Sequence, residues 1–281
     1  MFLVLIGHVG HATDRTPRGS LDYTGGSGFA GAFAASWLLG SGAGLVAQAG
    51  GDVDLGELER LGLDLEGVAR LEGPSARFEI DQRADGTFAF GSELGVAAEP
   101  RFDLFPVGYL QARHVHLGTA PPGQQREWLK FLRDKGFRGR VSVDMFEPFT
   151  RDDPDACRRL CERADLVFLN QAEYQELFGG IRRPRGPVIV KYGAGGAELL
   201  GPDPVPLVMA PAMTEVDPVG AGEILAAVFL SLRLRGLDRA AALERAVGVA
   251  SVSVTEFGVA GDGVRRELAR LRDELEAIPR S

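Results

Sequence analysis

Glu223 stands between a glycine-rich turn, Gly220-Ala221-Gly222, and an unbroken apolar run from Ile224 to Leu230. Glycines at the head of a helix let a ligand come close to free backbone N–H groups, which the helix dipole makes attractive to an anion. A carboxylate at the same spot can take a proton. An anion hole beside a base is what phosphoryl transfer to an alcohol requires: one part neutralises charge on the moving group, the other accepts the hydroxyl proton. An isolated first-turn acid is usually a dipole partner and nothing more. Here the apolar run predicts an interior helix whose first turn ends in a cleft.

Lys191, one of three lysines, closes an apolar run just before Gly193-Ala194-Gly195. A cation there could meet nucleotide phosphates or simply end a strand in solvent. The arginine-rich run at 181–187 reads as a solvated loop. His8, His11, His114 and His116 lack carboxylate or cysteine partners at ligand spacing, so they read as structural histidines. His114 and His116 share one strand face, which suits core packing. Gly26 to Gly31 match G-x-G-x-x-G, with Asp52 downstream. That fingerprint must directly follow the first buried strand, and here a polar stretch from His8 to Thr24 intervenes, which argues against a nicotinamide enzyme. The chain has no G-x-x-x-x-G-K-[ST] segment.

The elements that must position these residues alternate. Apolar runs predict strands at 2–6, 44–50, 114–118, 140–145, 165–170 and 187–193. Helical patterns fall at 28–40, 124–136 and 154–164, and the last third is helical at 219–235, 238–256 and 264–278. Strand and helix in turn predict an α/β fold with a mainly parallel sheet covered on both faces. Residues 76–91 instead alternate apolar and polar about Ala84-Asp85-Gly86, the pattern of a hairpin with one exposed face. It belongs to a small β flap.

Composition narrows the partners. Of 281 residues, 45% are hydrophobic and 25% charged, and the formal charge is −8. That balance fits one globular domain and argues against a protein that grips nucleic acid through clustered Lys and Arg. A small-molecule substrate is expected. Cys157 and Cys161, the two cysteines, read as reduced thiols. No apolar window reaches the length of a span and the apolar start has no basic flank, so the expected location is the cytoplasm, with no membrane partner.

Asp217-Pro218-Val219-Gly220-Ala221-Gly222-Glu223 resembles the Asp-Thr-x-Gly-Ala-Gly-Asp signature of the ribokinase-like (PfkB) carbohydrate kinases. Gly25-Gly26 is similar to the family's sugar-side glycines and AGGDVDLGELERLGLD (49–64) to its V-G-x-D-x-x-G segment. LNQAEYQELFG (169–179) looks like the N-x-x-E motif, and KYGAGGAELL (191–200) like the nucleotide loop. The opening IGH (6–8) is closer to the inositol-kinase branch. The resemblance covers nearly the whole chain. It implies a ribokinase-like three-layer sandwich, with a lid from residues near 12–24 and 75–98 on a single domain spanning 1–281.

The implied activity is ATP-dependent phosphorylation of a hydroxyl on a sugar, polyol or related small molecule, with Mg2+. Carried over by position, Gly220, Ala221 and Gly222 form the anion hole and Glu223 is the base. Asp217 orders that loop, near a monovalent cation. Asn170 and Glu173 serve the magnesium and phosphate network, with Glu173 the metal residue; Lys191, Gly193 and Gly195 border ATP. Gly25, Gly26 and Ser27 lie on the acceptor side. Glu223 is one methylene longer than the family's Asp. Ala12 and Ala30 replace its substrate-gripping Asp and Asn, so Asp14, His11 and Ser27 are the nearby substitutes, and Val247 stands where an adenine-side Asn is frequent. These departures carry an alternative: a weakly catalytic kinase fold that binds a nucleotide or metabolite as a sensor. The resemblance also leaves open a homodimer through the lid.

Overall fold

In the computed structural model, residues 1–85, 87–179 and 184–277 are described. Gly86 of the hairpin turn, residues 181–183 of the arginine-rich run and Ile278 lie outside them. In chain order the strands are β1 (Leu3–Ile6), β2 (Gly10–Thr16), β3 (Gly19–Gly25), β4 (Ala43–Ala49), β5 (Val68–Arg70), β6 (Ala76–Gln82), β7 (Phe88–Glu93), β8 (His114–Leu117), β9 (Arg140–Asp144), β10 (Leu166–Asn170), β11 (Val188–Lys191), β12 (Ala197–Leu200) and β13 (Val205–Val208). The helices are α1 (Ser27–Leu39), α2 (Gly56–Arg60), α3 (Pro122–Asp134), α4 (Glu147–Asp152), α5 (Pro154–Cys161), α6 (Gln171–Phe178), α7 (Ala221–Leu234), α8 (Arg239–Ser253) and α9 (Asp262–Ala277).

Nine strands form one sheet in the order β13-β12-β11-β10-β9-β8-β1-β4-β5, in which β12 runs antiparallel to both its neighbours and all other pairings are parallel. Alternation along each strand divides the core in two. Leu3, Leu5, Leu45, Phe168 and Ile189 pack with α1, α7 and α8, whereas Val4, Ile6, Val115, Val143 and Val167 pack with Trp128, Leu132, Leu160 and Leu177 of α3, α5 and α6. Burial on both faces explains why these strands read as continuous apolar runs. Each fully buried Leu or Ile contributes on the order of 1.5–3 kcal/mol. Helix α7 is apolar on every side because it lies between the sheet, α1 and α8. The expectation of an α/β fold with a mainly parallel sheet covered on both faces therefore holds. The short strands β5, β12 and β13 went unread in the sequence, since three or four residues show little periodicity.

Strand order reverses at β1, which has β4 on one side and β8 on the other. In open parallel sheets such a switch point leaves a crevice at the carboxyl ends of the strands. Gly7 and Gly118 border it, just beyond β1 and β8, and Gly118 N–H donates to the Ile6 carbonyl.

A second sheet, β3-β2-β6-β7, stands apart. The sequence pattern predicts the β6–β7 hairpin; the β2–β3 hairpin falls in the stretch that reads only as polar. Its outer face carries Thr13, Arg15, Asp22, Glu79 and Asp81, with Arg15 paired to Glu79 and Asp81 and Thr13 to Asp22. Its other face carries Ala12, Asp14, Leu21, Tyr23, Phe78, Ile80 and Phe90. That face turns toward the large sheet, since Phe78 lies 6.2 Å from His8 and Phe90 lies 4.8 Å from Phe146, centroid to centroid. No helix among the described residues is long and apolar enough to cross a membrane.

Candidate active site

Helix α7 opens on Gly220, whose φ of 79° is left-handed. A Cβ there would lie 2.2 Å from Val259 Cγ1, so both backbone and packing demand glycine. Asp217, 1% exposed, accepts from Val219 N–H at 3.1 Å and from Gly258 N–H at 3.0 Å. It therefore ties the turn before the helix to the loop beyond α8. The first N–H groups of α7 have no partner within the helix; that of Ala221 donates to the Pro218 carbonyl at 3.4 Å, and the others leave the kind of helix start that attracts an anion.

Glu223, in the first turn, receives a 3.5 Å hydrogen bond from Thr119 Oγ1, just past the end of β8. Burial, then the neighbouring Asp144, raise its carboxyl above the usual range; Lys191 opposes them. A carboxylate so placed has the basicity to accept a proton.

Lys191, at the end of β11, reaches across the end of β10 to Asp144 on β9. Its Nζ lies 2.8 and 3.1 Å from the two Asp144 oxygens, and Asp144 is 0% exposed. Burial lowers the lysine pKa, but Asp144, Glu173 and Glu223 outweigh it, leaving the ammonium above its ordinary value. Sequence reasoning left this lysine between nucleotide phosphates and a strand end in solvent. In the structure it neutralises buried acid, and it also stands 3.0 Å from where a Cβ on Gly222 would be.

Asn170 and Glu173 form a reciprocal cap on α6: Glu173 N–H donates to Asn170 Oδ1 at 2.8 Å, and Asn170 N–H donates to Glu173 Oε2 at 2.7 Å. The N-x-x-E spacing is thus a capping box whatever else it does. Burial lifts the Glu173 carboxyl to about 7, with Lys191 lowering it and Asp144 raising it. Gly193–Gly195 form an exposed turn after β11, next to Lys191 and on the same edge of the sheet.

On the flap side, Tyr23 donates to Asp14 Oδ2 at 2.6 Å, and Asp14 Oδ1 is buried without a partner among the described residues. Burial, then loss of proton affinity to Tyr23, then the nearby Asp217 set the Asp14 carboxyl at about 7. His11 lies on the opposite face of β2 and pairs with Asp52 at 3.1 Å. The structure therefore separates His11 from Asp14, because adjacent strand residues point to opposite faces. Ser27 is also committed: its hydroxyl donates to the Thr119 carbonyl at 3.0 Å and accepts from His8 N–H at 3.4 Å. Gly26 and Gly28 belong to the same joint, since a Cβ on either would strike the His8 or Gly7 backbone within 3.0 Å. That close approach accounts for the G-x-G-x-x-G match without a dinucleotide. His114 Nε2 and His116 Nδ1 each lie 2.8 Å from Ser142 Oγ, in the core.

Among the described residues no group of three or more His, Cys, Asp or Glu could hold a metal ion. Magnesium asks for less, because it keeps several waters and is commonly held through one or two carboxylates plus phosphate oxygens. Glu173, with one oxygen in its cap, fits that demand; Asp144, already paired with Lys191, does so less well. Asp144, Thr119, Tyr23, Phe90 and Phe146 are the neighbours that sequence reasoning missed. An acid inside the apolar strand RVSVDM was the one legible signal, since a buried carboxylate needs a partner.

The pattern described as pfkB family carbohydrate kinase matches residues 13–264. A cytidine kinase of Thermococcus kodakarensis is 30% identical over 252 residues, covering 83% of this chain and 89% of its own. Among solved structures, the Burkholderia thailandensis nucleoside kinase in complex with inosine has a TM-score of 0.77 at 19% identity, with 97% of this chain and 98% of that one covered. A putative ribokinase II of E. coli in complex with ATP and Mg2+ has a TM-score of 0.76 at 18% identity, covering 96% and 99%.

Proposed function

This chain belongs to the pfkB family of carbohydrate kinases, and from that premise we propose that it transfers the γ-phosphoryl group of ATP to a hydroxyl of a nucleoside. The acceptor oxygen forms a bond to the γ-phosphorus while the bond from that phosphorus to the β–γ bridging oxygen breaks, its electron pair leaving with ADP. The hydroxyl proton passes to Glu223 and later to solvent. Amides of Gly220, Ala221 and Gly222 take up charge on the moving group. Asp217 holds that turn through two backbone amides.

Gly193 and Gly195 border the nucleotide, and Glu173 is the group that would hold Mg2+. Magnesium, when bound, neutralises phosphate charge. Asp14, fixed by Tyr23, and the Gly25-Gly26 turn face the acceptor. The flap excludes water from the transfer.

The observation that carries the nucleoside reading is the aromatic roof. Phe78, Phe88 and Phe90 share the flap's inner face, with Phe88 and Phe90 stacked 5.9 Å apart and Phe90 46% exposed beside Phe146. Two positions where the family grips sugar hydroxyls are Ala12 and Ala30. A free pentose would gain little from such walls; a base would bury its faces against the rings. The names of the cytidine kinase relative and of the inosine complex support the same class. The flap's outer face is charged and exposed, which supports a chain closing over its own acceptor rather than pairing flaps with a second copy.

The test is a panel of nucleosides, ribose, fructose and inositol with ATP and Mg2+, following ADP release. Nucleoside-dependent turnover is expected, with Phe90→Ala raising the nucleoside KM about tenfold, on the scale of a lost stacking contact. Faster turnover of ribose, or a silent panel alongside measurable nucleotide binding, overturns the assignment; the second outcome points to a sensor.

A further inference from the structure

Lys191, half-buried, and Asp144, fully buried, form a pair that the transfer just described leaves without a task. Both oxygens of Asp144 accept from the Lys191 ammonium, at 2.8 and 3.1 Å. Lysine has three donors, so one remains, on an amine that approaches Gly222 in the first turn of α7. To reach a nucleotide phosphate instead, the side chain would have to leave Asp144 charged and alone at 0% exposure. Cation and carboxylate are held to each other by three adjacent strands, β9, β10 and β11.

We propose that Lys191, clamped by Asp144, is a positioning residue for the first turn of α7 and the Glu223 carboxylate it carries, and takes no part in holding the nucleotide. The inference rests on Glu223 being the base. The charged and titratable groups facing this centre come from every side of it. Asp144, Glu173 and Glu223 act on Lys191; His116, buried and held near a pKa of about 3, first by burial and then by Lys191, stays neutral beneath it. Tyr23 of the flap lies within the field of Glu223, and Glu147 within that of Glu173. Asp144 and Lys191 push Glu223 in opposite directions, Asp144 toward the protonated form and Lys191 toward the ionised one. Their removal must therefore have opposite signs.

The test is the pH dependence of kcat/KM for the acceptor at saturating Mg·ATP. In Lys191→Met the acid limb moves up by about one pH unit or more, and Lys191→Arg restores most of the shift; in Asp144→Asn it moves down. Calorimetric ATP affinity changes less than about threefold in Lys191→Met. An unmoved limb with a tenfold or greater loss of ATP affinity overturns the inference and returns Lys191 to the phosphates. A readout without turnover separates this from the choice of Glu223 as base: infrared titration of wild type minus Glu223→Gln isolates the Glu223 carboxyl, and its midpoint must rise in Lys191→Met. A chain that phosphorylates nothing yet shows that rise sinks the kinase reading alone. A fixed midpoint sinks this one. Should Lys191→Met fold poorly, the Lys191→Met/Asp144→Asn double variant must fold better than the single, because it leaves no lone buried charge; a double variant no more stable than the single overturns the clamp.

Discussion

The Tyr23 hydroxyl donates to Asp14 Oδ2 over 2.6 Å, joining β3 to β2 directly above Asp217. The bond satisfies one oxygen of a carboxyl that is 0% exposed and leaves the other without a donor among the described residues. Burial, opposed by the Tyr23 bond and aided by Asp217, holds Asp14 near a pKa of about 7, well above the 3.8 of an unfolded Asp.

Between those two values the folded chain holds a proton at Asp14 that the unfolded chain has released, so stability falls as pH rises through that window. Urea unfolding at pH 5 and pH 8 should show a smaller drop for Asp14→Asn than for wild type. Equal drops would mean that Asp14 is ionised at both pH values. Tyr23→Phe should cost roughly 1–3 kcal/mol at either pH, the penalty for leaving a buried acceptor unpaired.

Glu223 differs from the family's Asp by one methylene. If the backbone has adjusted to that length, Glu223→Asp draws the carboxylate back by about 1 Å and kcat drops on the order of a hundredfold. Glu223→Gln loses about 10²–10⁴ in kcat with nucleotide affinity retained. Steady-state kinetics and calorimetry read both. Full turnover in the Gln variant removes Glu223 from the mechanism.

The Asn170–Glu173 box lets stability be separated from metal use. Asn170→Ala should cost about 1 kcal/mol as a lost N-cap. Glu173→Gln keeps both capping bonds, because an amide oxygen still accepts from Asn170 N–H, so its urea midpoint stays near wild type. Its Mg2+ requirement for turnover should rise. Were the Gln variant unstable but normal in Mg2+ dependence, Glu173 would be a capping residue only.

Gly220→Ala meets two separate obstacles, a left-handed φ of 79° and Val259 Cγ1 at 2.2 Å from the new Cβ. The backbone part alone costs about 1–2 kcal/mol. Adding Val259→Ala should relieve the contact and leave the backbone part. Thermal melts of the single and double variants distinguish the two; full recovery in the double would show that the φ is not constrained.

Contiguous patterns were legible because their physics is local. The apolar runs of β1, β8 and β11 predict strands buried on both faces, since each such residue must leave water whichever face it takes. Asn170 and Glu173 sit three apart, and a helix start needs no distant help to bring them together. The turn at Gly220 and the apolar face of α7 are likewise written within a few residues.

What the tertiary structure decided are relations between residues far apart in the chain. Lys191 meets Asp144, 47 residues earlier, because the sheet places β9, β10 and β11 side by side. Glu223 meets Thr119 across 104 residues. His11 and Asp14 part company because β2 enters the flap with one face outward, and Phe90 reaches Phe146 because the flap folds back over the crevice. A sequence shows that an acid or a ring is present; which buried charge it neutralises, or which face it presents, follows from strand order and pleat, and neither is set by any one segment.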